Sequence, residues 1–322
     1  MLHYAVVKAL RYHRFGPAAE VLRWEDAPDP RPRRGEIRVR VHAAGVNPKD
    51  VLTRKGKLGP LVRGFPQRSG QDLAGVVDAV GPRVKSLRVG EPVFGMIGGM
   101  GSGAVAELAV IRADHAALAP RSASMVEAAA VPLAGMTALQ ALRDHLRLGP
   151  GDTLALNGAS GGVGVFAIQI AKILGARVVA VCSARNEDFV RELGADEVLP
   201  YDEAPLVERD RRFDAVFDTF GTAPFAKARR VIAPGGRYVT AIPRPDSLAR
   251  GLASRVVPGL EAHLVLVQSR TRDLTLLGQW IDDGKLRCVV DRVWPADQAA
   301  QAHEHVETRR ARGKVVLEIP GA

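Results

Sequence analysis

The sequence predicts an α/β protein with two domains, one rich in antiparallel strands and one built on a doubly wound parallel sheet of six strands. Its 322 residues are about twice the length of a typical domain. Apolar and polar residues alternate through the first third of the chain, as in Ile37–His42 and Ala104–Val110, which is typical of strands with one buried face. From Asp152 onward, short apolar runs alternate with helical patterns, and this order is typical of a parallel sheet.

The first domain begins with a strand in Tyr4–Arg11, and glycine and proline separate the strands that follow. This punctuation predicts an antiparallel, barrel-like β domain. Past Ser122 the periodicity changes from two to between three and four, which predicts helices over Met125–Ala130 and Met136–Leu146.

The second domain is predicted from the alternation of strands and helices. The six strands are expected at Thr153–Leu156, Arg177–Cys182, Glu197–Leu199, Ala215–Asp218, Tyr238–Ala241 and Leu264–Val267, with helices at Gly164–Leu174, Asn186–Leu193 and Thr222–Val231 between them. A helix over Arg272–Asp282 precedes a strand, a helix and a last strand, at Cys288–Val293, Pro295–Thr308 and Lys314–Ile319. These last elements are expected to return to the first domain, which then comprises residues 1–122 and 284–322, with residues 123–283 inserted.

Composition and charge restrict the classes of partner. Hydrophobic residues make up 47% of the chain and charged residues 25%, which argues against a disordered or fibrous protein. The formal net charge of +10 suggests a polyanion at first sight. The arginine runs have no interleaved aromatic residues, so a solvated surface explains them better, and no specific nucleic acid is expected.

Targeting and redox features are few. No apolar run approaches the roughly 18 residues that span a bilayer, and the first residues lack the pattern of a secretory signal. The chain has only Cys182 and Cys288, too few for a disulfide framework or a four-cysteine zinc site. We therefore predict a cytoplasmic protein.

A glycine-rich turn carries the clearest chemical signal. The strand Thr153–Leu156 leads into Asn157-Gly158-Ala159 and then into Ser160-Gly161-Gly162-Val163-Gly164, where a helix begins. Glycines let the backbone approach a pyrophosphate, and the free amides at a helix start supply donors and a partial positive charge. The turn therefore predicts a dinucleotide site that includes Ser160 to Gly164.

The end of the second strand of this domain predicts which dinucleotide binds. An acidic residue about 20 positions beyond the turn would hold the ribose 2′-hydroxyl of NAD, but the strand ends in Cys182-Ser183-Ala184-Arg185. Ser183 and Arg185 are suited to a phosphate, so we expect NADPH. Ser183 is also a plausible cap of the next helix.

Together these motifs resemble the medium-chain dehydrogenase/reductase superfamily, in its zinc-free quinone oxidoreductase branch. The resemblance covers nearly the whole chain and rests on the turn above and on five further segments, Ala44–Asp50, Gly70–Val77, Val131–Ala138, Leu193–Asp196 and Arg312–Lys314. Within the branch the chain is most similar to mitochondrial reticulon-interacting oxidoreductases and their bacterial relatives. The resemblance implies a GroES-like catalytic domain, a Rossmann domain that binds NADPH, and a homodimer.

The resemblance also implies that no zinc is bound. The Cys and His that hold catalytic zinc in zinc-dependent relatives correspond to Asn47 and Gln71, and amides are poor zinc ligands. His303 and His305 are two positions apart on a predicted helix, so they face different sides and a metal site there is not favoured.

Individual residues receive roles from the same resemblance. Asn47 would face the nicotinamide and the substrate, with Asp50 on the substrate side, and Thr137 would contact the carboxamide. Tyr201 would lie near the adenosine 2′-phosphate, and Lys314 would reach back toward the cofactor. Other interpretations stay open, with Asn47 as a turn former and Lys314 as an exposed residue at the start of a strand. Leu52 replaces a tyrosine that is a proton donor in related enzymes, so no catalytic acid is named.

Three functions follow from this picture. Without a Lewis acid, hydride transfer to a quinone or an α,β-unsaturated carbonyl is favoured, because its charge delocalises over a conjugated system. An enoyl-thioester reductase is an alternative that would need a basic slot for coenzyme A, formed near Arg244, Arg250 and Arg255. A nucleic-acid-binding or structural protein that retains the dinucleotide fold is the third.

Overall fold

The structure is a computed structural model that describes residues 6–58, 64–99, 102–244, 247 and 261–321. Its strands, in chain order, are β1 (Val6–Tyr12), β2 (Arg23–Pro28), β3 (Glu36–Val46), β4 (Gln67–Arg68), β5 (Asp72–Val80), β6 (Pro92–Met96), β7 (Leu108–Arg112), β8 (Ala116–Leu118), β9 (Thr153–Asn157), β10 (Arg177–Cys182), β11 (Glu197–Pro200), β12 (Phe213–Asp218), β13 (Ile232–Thr240), β14 (Ala262–Leu264), β15 (Val290–Pro295) and β16 (Lys314–Glu318).

The α-helices are α1 (Ala18–Val21), α2 (Pro48–Arg54), α3 (Met125–Ala129), α4 (Pro132–Leu139), α5 (Gly164–Ile173), α6 (Glu187–Glu192), α7 (Phe225–Ala228), α8 (Thr271–Asp282) and α9 (Ala299–Glu307). None of the helices in the described part of the chain combines the length and the apolar character needed to cross a bilayer.

The chain divides into two compact units. The first comprises Met1–Met136, Gln268–Gly284 and Cys288–Ala322, and the second comprises Thr137–Val267 and Lys285–Arg287. This division reflects compactness alone, so the domain borders expected from the sequence stay a prediction.

The first unit is the β-rich one. A seven-stranded sheet has the order β15-β16-β3-β5-β6-β8, with β7 paired to β3, and a smaller sheet has the order β2-β1-β4. The alternation predicted for Ile37–His42 is confirmed, because Ile37, Val39 and Val41 of β3 are fully buried. Between them Arg38 and Arg40 point outward and pair with Asp78 of β5. The period of two therefore assigns one face of β3 to the core.

The second unit is a parallel sheet with the strand order β11-β10-β9-β12-β13-β14. All five pairings are parallel, so the predicted doubly wound sheet of six strands is confirmed. The neighbouring strands β9 and β10 are almost continuously apolar and buried, as expected for a sheet covered on both faces. The strand order changes direction at β9, and in such folds ligands bind beyond the carboxyl ends of the strands at this point.

Several predicted elements differ from those observed. The helix expected over Thr222–Val231 is reduced to α7, because the amides of Gly221 and Ala223 turn back to donate to the Asp218 carboxylate and Pro224 precedes the helix. The helix expected over Met136–Leu146 begins earlier, in α4, and continues as a π-helix over Gln140–His145.

Other borders shift by a few residues. The strand expected at Leu264–Val267 is β14, and the one expected at Tyr238–Ala241 starts six residues earlier, in β13. The helix expected over Pro295–Thr308 is a short 3-10 turn followed by α9. Arg250 and Arg255, named for a coenzyme A slot, lie outside the described residues.

Candidate functional site

The glycine turn of the second unit has the close backbone packing that the sequence predicts. Gly158 follows β9 with a φ of +86°, a left-handed conformation that suits glycine. At Gly164, where α5 begins, a Cβ atom would lie 2.4 Å from the Gly158 oxygen and 2.5 Å from the Ala159 oxygen. Any side chain at Gly164 would force the turn apart, so the glycine maintains the approach of α5 to the turn.

A buried network of hydrogen bonds links the residue before this turn, Asn157, to the end of β12. The Asn157 side-chain amide donates to the Asp218 carboxylate at 2.7 Å and to the Thr222 hydroxyl at 2.9 Å. Thr219 in turn donates from its hydroxyl to the Asn157 carbonyl at 2.8 Å. The ends of β9 and β12 are therefore joined at the switch point of the sheet. Asp218 was not predicted as a site residue from the sequence, although its position at the end of β12 was a usable signal.

Ser160 connects the turn to the next loop. Its hydroxyl oxygen accepts a hydrogen bond of 2.9 Å from the Asn186 side-chain amide. Asn186 is buried and closes the short 3-10 turn that follows β10. The structure thus brings the glycine turn, with Ser160 to Gly164, next to the loop that carries Ser183 and Arg185.

A carboxylate that was not predicted from the sequence lies beside the end of β10. Asp202 follows β11, and its Oδ2 accepts hydrogen bonds from the Ser183 hydroxyl and from the Ala184 amide, both at 2.7 Å. Ser183 does not cap the next helix with its side chain. The expectation that no carboxylate stands here was therefore incomplete. The parallel pairing of Cys182 with Pro200 explains it, because this register sets the ends of the two strands side by side.

Tyr201 and Arg185 flank this carboxylate. The Tyr201 amide donates to the Cys182 carbonyl at 2.9 Å, and its side chain is 50% exposed. The hydrogen bond from Ser183, with the charge of Arg185 as a lesser cause, lowers the pKa of Asp202. The Ser183 hydroxyl and the Ala184 amide thus both donate to one anionic oxygen, that of Asp202. The two donors are therefore oriented for an oxyanion. The residues present fit the phosphate-bearing end of a dinucleotide.

In the first unit, the predicted residues Asn47 and Lys314 form a buried cluster with Asp72. The Lys314 ammonium donates to the Asn47 Oδ1, and the Asn47 Nδ2 donates to Asp72 Oδ2 at 3.0 Å. Lys314 is also 3.5 Å from that carboxylate, and the Leu133 amide donates to its other oxygen at 2.9 Å. All three side chains are at most 3% exposed. The interpretation of Lys314 as an exposed strand-start residue is therefore wrong.

The pairing of strands explains how this cluster forms. Val315 of β16 lies opposite Val46 of β3, so Lys314 at the start of β16 meets Asn47 just after β3. Asp72 begins β5 and lies opposite Gly45. Burial raises the pKa of Asp72, while Lys314 and the amide donors act in the opposite direction. The ammonium is the charge that compensates this buried carboxylate.

Asp50 lies beside the cluster on α2. Its carboxylate accepts a 2.8 Å hydrogen bond from the backbone amide of Asn47. This bond closes the first turn of the helix. Burial raises the pKa of Asp50 from 3.8 to about 7. A carboxyl group with this pKa exchanges its proton near neutral pH, which is a property of acid–base groups in active sites.

A small pocket opens beside Asp50 within the first unit. Its lining includes Tyr12, Lys49, Asp50, Thr53, Gln71 and Ser102. The Tyr12 hydroxyl is buried without a hydrogen-bond partner in the described part of the chain. Burial, with the nearby charge of Asp50 as a lesser cause, raises the pKa of Tyr12 to about 12. Tyr12 is therefore a neutral donor at the pocket wall that the sequence analysis missed.

The two amides at the positions of zinc ligands are engaged in other bonds. The Asn47 oxygen accepts from Lys314, and the Gln71 amide donates to the carbonyls of Ile97 and Gly99 at 2.9 and 3.1 Å. An ammonium on the Asn47 oxygen is incompatible with a cation bound to the same atom. Among residues 6–58, 64–99, 102–244, 247 and 261–321, no three His, Cys, Asp or Glu side chains cluster as metal ligands.

The remaining predicted residues have separate surroundings. Thr137 is buried on α4 in the second unit. His303 is buried on α9, where desolvation lowers its pKa to about 3, whereas His305 lies 2.5 Å from the Asp291 carboxylate. The two histidines therefore face different sides of α9, as their spacing predicts.

Two family models match this chain. Residues 33–121 match the alcohol dehydrogenase GroES-like domain, and residues 193–317 match the zinc-binding dehydrogenase model. The first match confirms the GroES-like identity expected for the β-rich part.

Relatives match across nearly the whole length. A chloroplast envelope quinone oxidoreductase homolog of Arabidopsis thaliana is 32% identical, with 97% of this chain and 98% of that protein covered. A trans-enoyl reductase of Aspergillus terreus is 34% identical, with 88% and 86% covered. The mitochondrial NAD(P)H oxidoreductase RTN4IP1 of Mus musculus is 32% identical, with 88% and 82% covered.

Among solved structures, the quinone oxidoreductase of Coxiella burnetii is similar with a TM-score of 0.88 and 31% identity, and 98% of this chain and 99% of that chain are covered. The family resemblance inferred from the motifs is thus confirmed. The chain belongs to the medium-chain dehydrogenase/reductase superfamily, a family of oxidoreductases that bind a nicotinamide dinucleotide.

Proposed function

We propose that this protein transfers a hydride from NADPH to a quinone or an α,β-unsaturated carbonyl without the help of zinc. The observation that carries the proposal is the buried cluster of Asn47, Lys314 and Asp72, in which the Asn47 oxygen accepts a hydrogen bond from an ammonium. An ammonium on the Asn47 oxygen disfavours a metal ion on the same atom, so the proposal uses no Lewis acid to stabilise an alkoxide. A conjugated acceptor needs none, because its negative charge spreads over the conjugated system.

The second unit supplies the residues that would hold the cofactor. Amides of the turn from Ser160 to Gly164 would bind the pyrophosphate, and Ser183, Arg185 and Tyr201 would surround the 2′-phosphate. Thr137 is proposed to contact the carboxamide. For Asn47 and Lys314, which belong to the first unit, the cofactor role that the resemblance implies stays a prediction. When bound, the dinucleotide supplies the hydride.

The first unit supplies the proton. Reduction of a quinone to a hydroquinone takes up one hydride and one proton, and Asp50 holds an exchangeable proton at neutral pH because burial raises its pKa to about 7. The pocket that Asp50 shares with Tyr12 is proposed to accept the carbonyl end of the acceptor. Asp50 would release its proton to the reduced acceptor and regain it from water.

The test is rapid mixing of the purified protein with NADPH and then with a panel of quinones and enones, followed by the absorbance of the reduced cofactor. Oxidation of NADPH that depends on the acceptor and survives a chelator is expected. Loss of activity with the chelator contradicts the zinc-free proposal. Arg185→Asp is expected to raise the KM for NADPH while sparing NADH, and an unchanged preference removes Arg185 from the phosphate site.

A second candidate is reduction of an enoyl thioester. The similarity to a trans-enoyl reductase, which covers 88% of this chain, favours it. One assay discriminates the two functions by comparing crotonyl-coenzyme A with the quinones and with a simple enone that carries no thioester. A kcat/KM for the thioester at least about 100-fold above that for the quinones, worth about 3 kcal/mol of transition-state binding, would favour the second candidate.

We also propose a homodimer located in the cytoplasm. Cys182 and Cys288 are both free thiols, which suits a reducing compartment. Sedimentation of the full-length protein tests the dimer, and fractionation of cells tests the location.

A further inference from the structure

The contact of Asp202 with Ser183 and Ala184 is a feature of the second unit that the proposed function does not use. One carboxylate oxygen accepts from a hydroxyl and from a backbone amide, each at 2.7 Å. Two donors that converge on one anionic oxygen form the arrangement by which proteins bind a phosphate oxygen. Asp202 thus occupies donors that a 2′-phosphate would need.

The position of Asp202 follows from the sheet. The parallel pairing of β10 with β11 ends at Cys182 and Pro200, and the Tyr201 amide continues it with a bond to the Cys182 carbonyl. Asp202 is the next residue, so it emerges directly beside Ser183. Because the side chain is exposed, it can leave its two donors at little cost in packing.

The charge of this carboxylate distinguishes the two cofactors. A ribose 2′-hydroxyl is a donor, and it can bond to the Asp202 carboxylate without displacing it. A 2′-phosphate carries up to two negative charges and accepts only. It must displace Asp202 from Ser183 and Ala184, and it then lies near a like charge.

We propose that Asp202 is the residue that limits the preference of this protein for NADPH over NADH. The carboxylate competes internally with the 2′-phosphate for the Ser183 hydroxyl and the Ala184 amide, and it offers an acceptor to the free hydroxyl of NADH. This inference rests on the proposed function, since it assumes a dinucleotide whose 2′-position lies at the end of β10.

The experiment measures binding of two fragments, 2′,5′-ADP and 5′-AMP, to the full-length protein by titration calorimetry. These fragments differ by the 2′-phosphate, and neither requires turnover. The variants are Asp202→Ala, which frees both donors, and Asp202→Asn, which keeps an acceptor oxygen but removes the charge. Glu203→Ala is the matched control, because its carboxylate is exposed and pairs with Arg209 instead.

Asp202→Ala is expected to tighten binding of 2′,5′-ADP by about tenfold, the size of effect expected when charge-assisted donors become available. Asp202→Asn should give a smaller gain. Affinity for 5′-AMP should stay the same or fall, and Glu203→Ala should resemble the unchanged protein. A melting temperature within a few degrees of the wild type, as expected for an exposed residue, confirms that each variant is folded.

Two outcomes overturn the inference. If Asp202→Ala leaves the affinity for 2′,5′-ADP unchanged or lower, or tightens both nucleotides equally, Asp202 does not discriminate between them, while the proposed function stands. If neither nucleotide binds to the wild type or to any variant, the dinucleotide assignment itself fails, and the inference fails with it.

Discussion

Lys314 donates a hydrogen bond from its ammonium to the side-chain oxygen of Asn47, although 267 positions separate the two residues. Both side chains are buried, and both contact Asp72. The last strand of the chain thereby neutralises a carboxylate at the start of β5 and orients the amide that precedes α2. The candidate site depends on this contact between the end and the beginning of the chain.

Replacement of the lysine tests the cluster directly. Lys314→Met leaves the Asp72 carboxylate buried without its compensating charge, and it should lower the free energy of unfolding by about 3 to 5 kcal/mol. Urea denaturation measures the loss. Lys57→Met, at an exposed lysine of the same unit, should change it by less than about 0.5 kcal/mol. Adding Asp72→Asn to the first variant should restore part of the stability, and a double variant that is additive would contradict the pairing.

Asp50 should impose a pH dependence on stability. Burial raises its pKa in the folded state from 3.8 to about 7, so the folded protein binds this proton more tightly than the unfolded chain. The stabilisation from protonation is complete below pH 4 and is lost as the pH rises to about 7. The total is at most about 4 kcal/mol, since one pKa unit corresponds to 1.36 kcal/mol.

The comparison that isolates this group is wild type against Asp50→Asn, with unfolding measured by urea from pH 4 to pH 8. Asparagine keeps an acceptor for the Asn47 backbone amide, so the difference in stability should grow in favour of the variant from pH 4 to about pH 7 and level off above it. In activity assays, kcat/KM of the wild type should fall as the pH rises through about 7. A wild-type profile that is flat over this range would exclude Asp50 as the proton source.

The glycine turn offers a test of cofactor binding with a matched control. Gly164→Ala places a Cβ atom 2.4 Å from the Gly158 oxygen, so the turn must open and NADPH should bind roughly tenfold more weakly or worse. Gly149→Ala is the control, because its Cβ would meet no atom within 4 Å and its φ is not positive. Fluorescence of bound NADPH measures both, and equal affinities would contradict the role of the turn.

Tyr12→Phe tests the acceptor pocket. The Tyr12 hydroxyl is buried and has no hydrogen-bond partner within the ranges that the structure describes, so its removal should not destabilise the protein and should raise the stability by up to about 1 kcal/mol. If the hydroxyl contacts the carbonyl of the acceptor, the KM for the quinone should rise by about fivefold, with NADPH binding unchanged. An unchanged KM would separate Tyr12 from the acceptor.

Local patterns in the sequence were sufficient for some of these residues and not for others. The strand, turn and helix around Gly164 form one continuous segment, so its geometry follows from neighbouring residues. Asn47 and Lys314 were recognised by their motifs, but the motifs did not show that the two side chains bond to each other. Asp202 was missed, because it follows β11 and meets Ser183 only through the parallel register of two strands.

The sequence by itself determined the type and order of the elements, the parallel sheet of six strands and the dinucleotide turn. The reason is that period, glycine spacing and strand–helix alternation are properties of adjacent residues. The tertiary structure decided which polar groups share a buried environment. It brought Lys314 and Asp72 into hydrogen-bonding contact with Asn47. It raised the pKa of Asp50 by burial. It also brought the Asp202 carboxylate to the Ser183 hydroxyl and the Ala184 amide. Such contacts depend on strand register and desolvation, which no local pattern encodes.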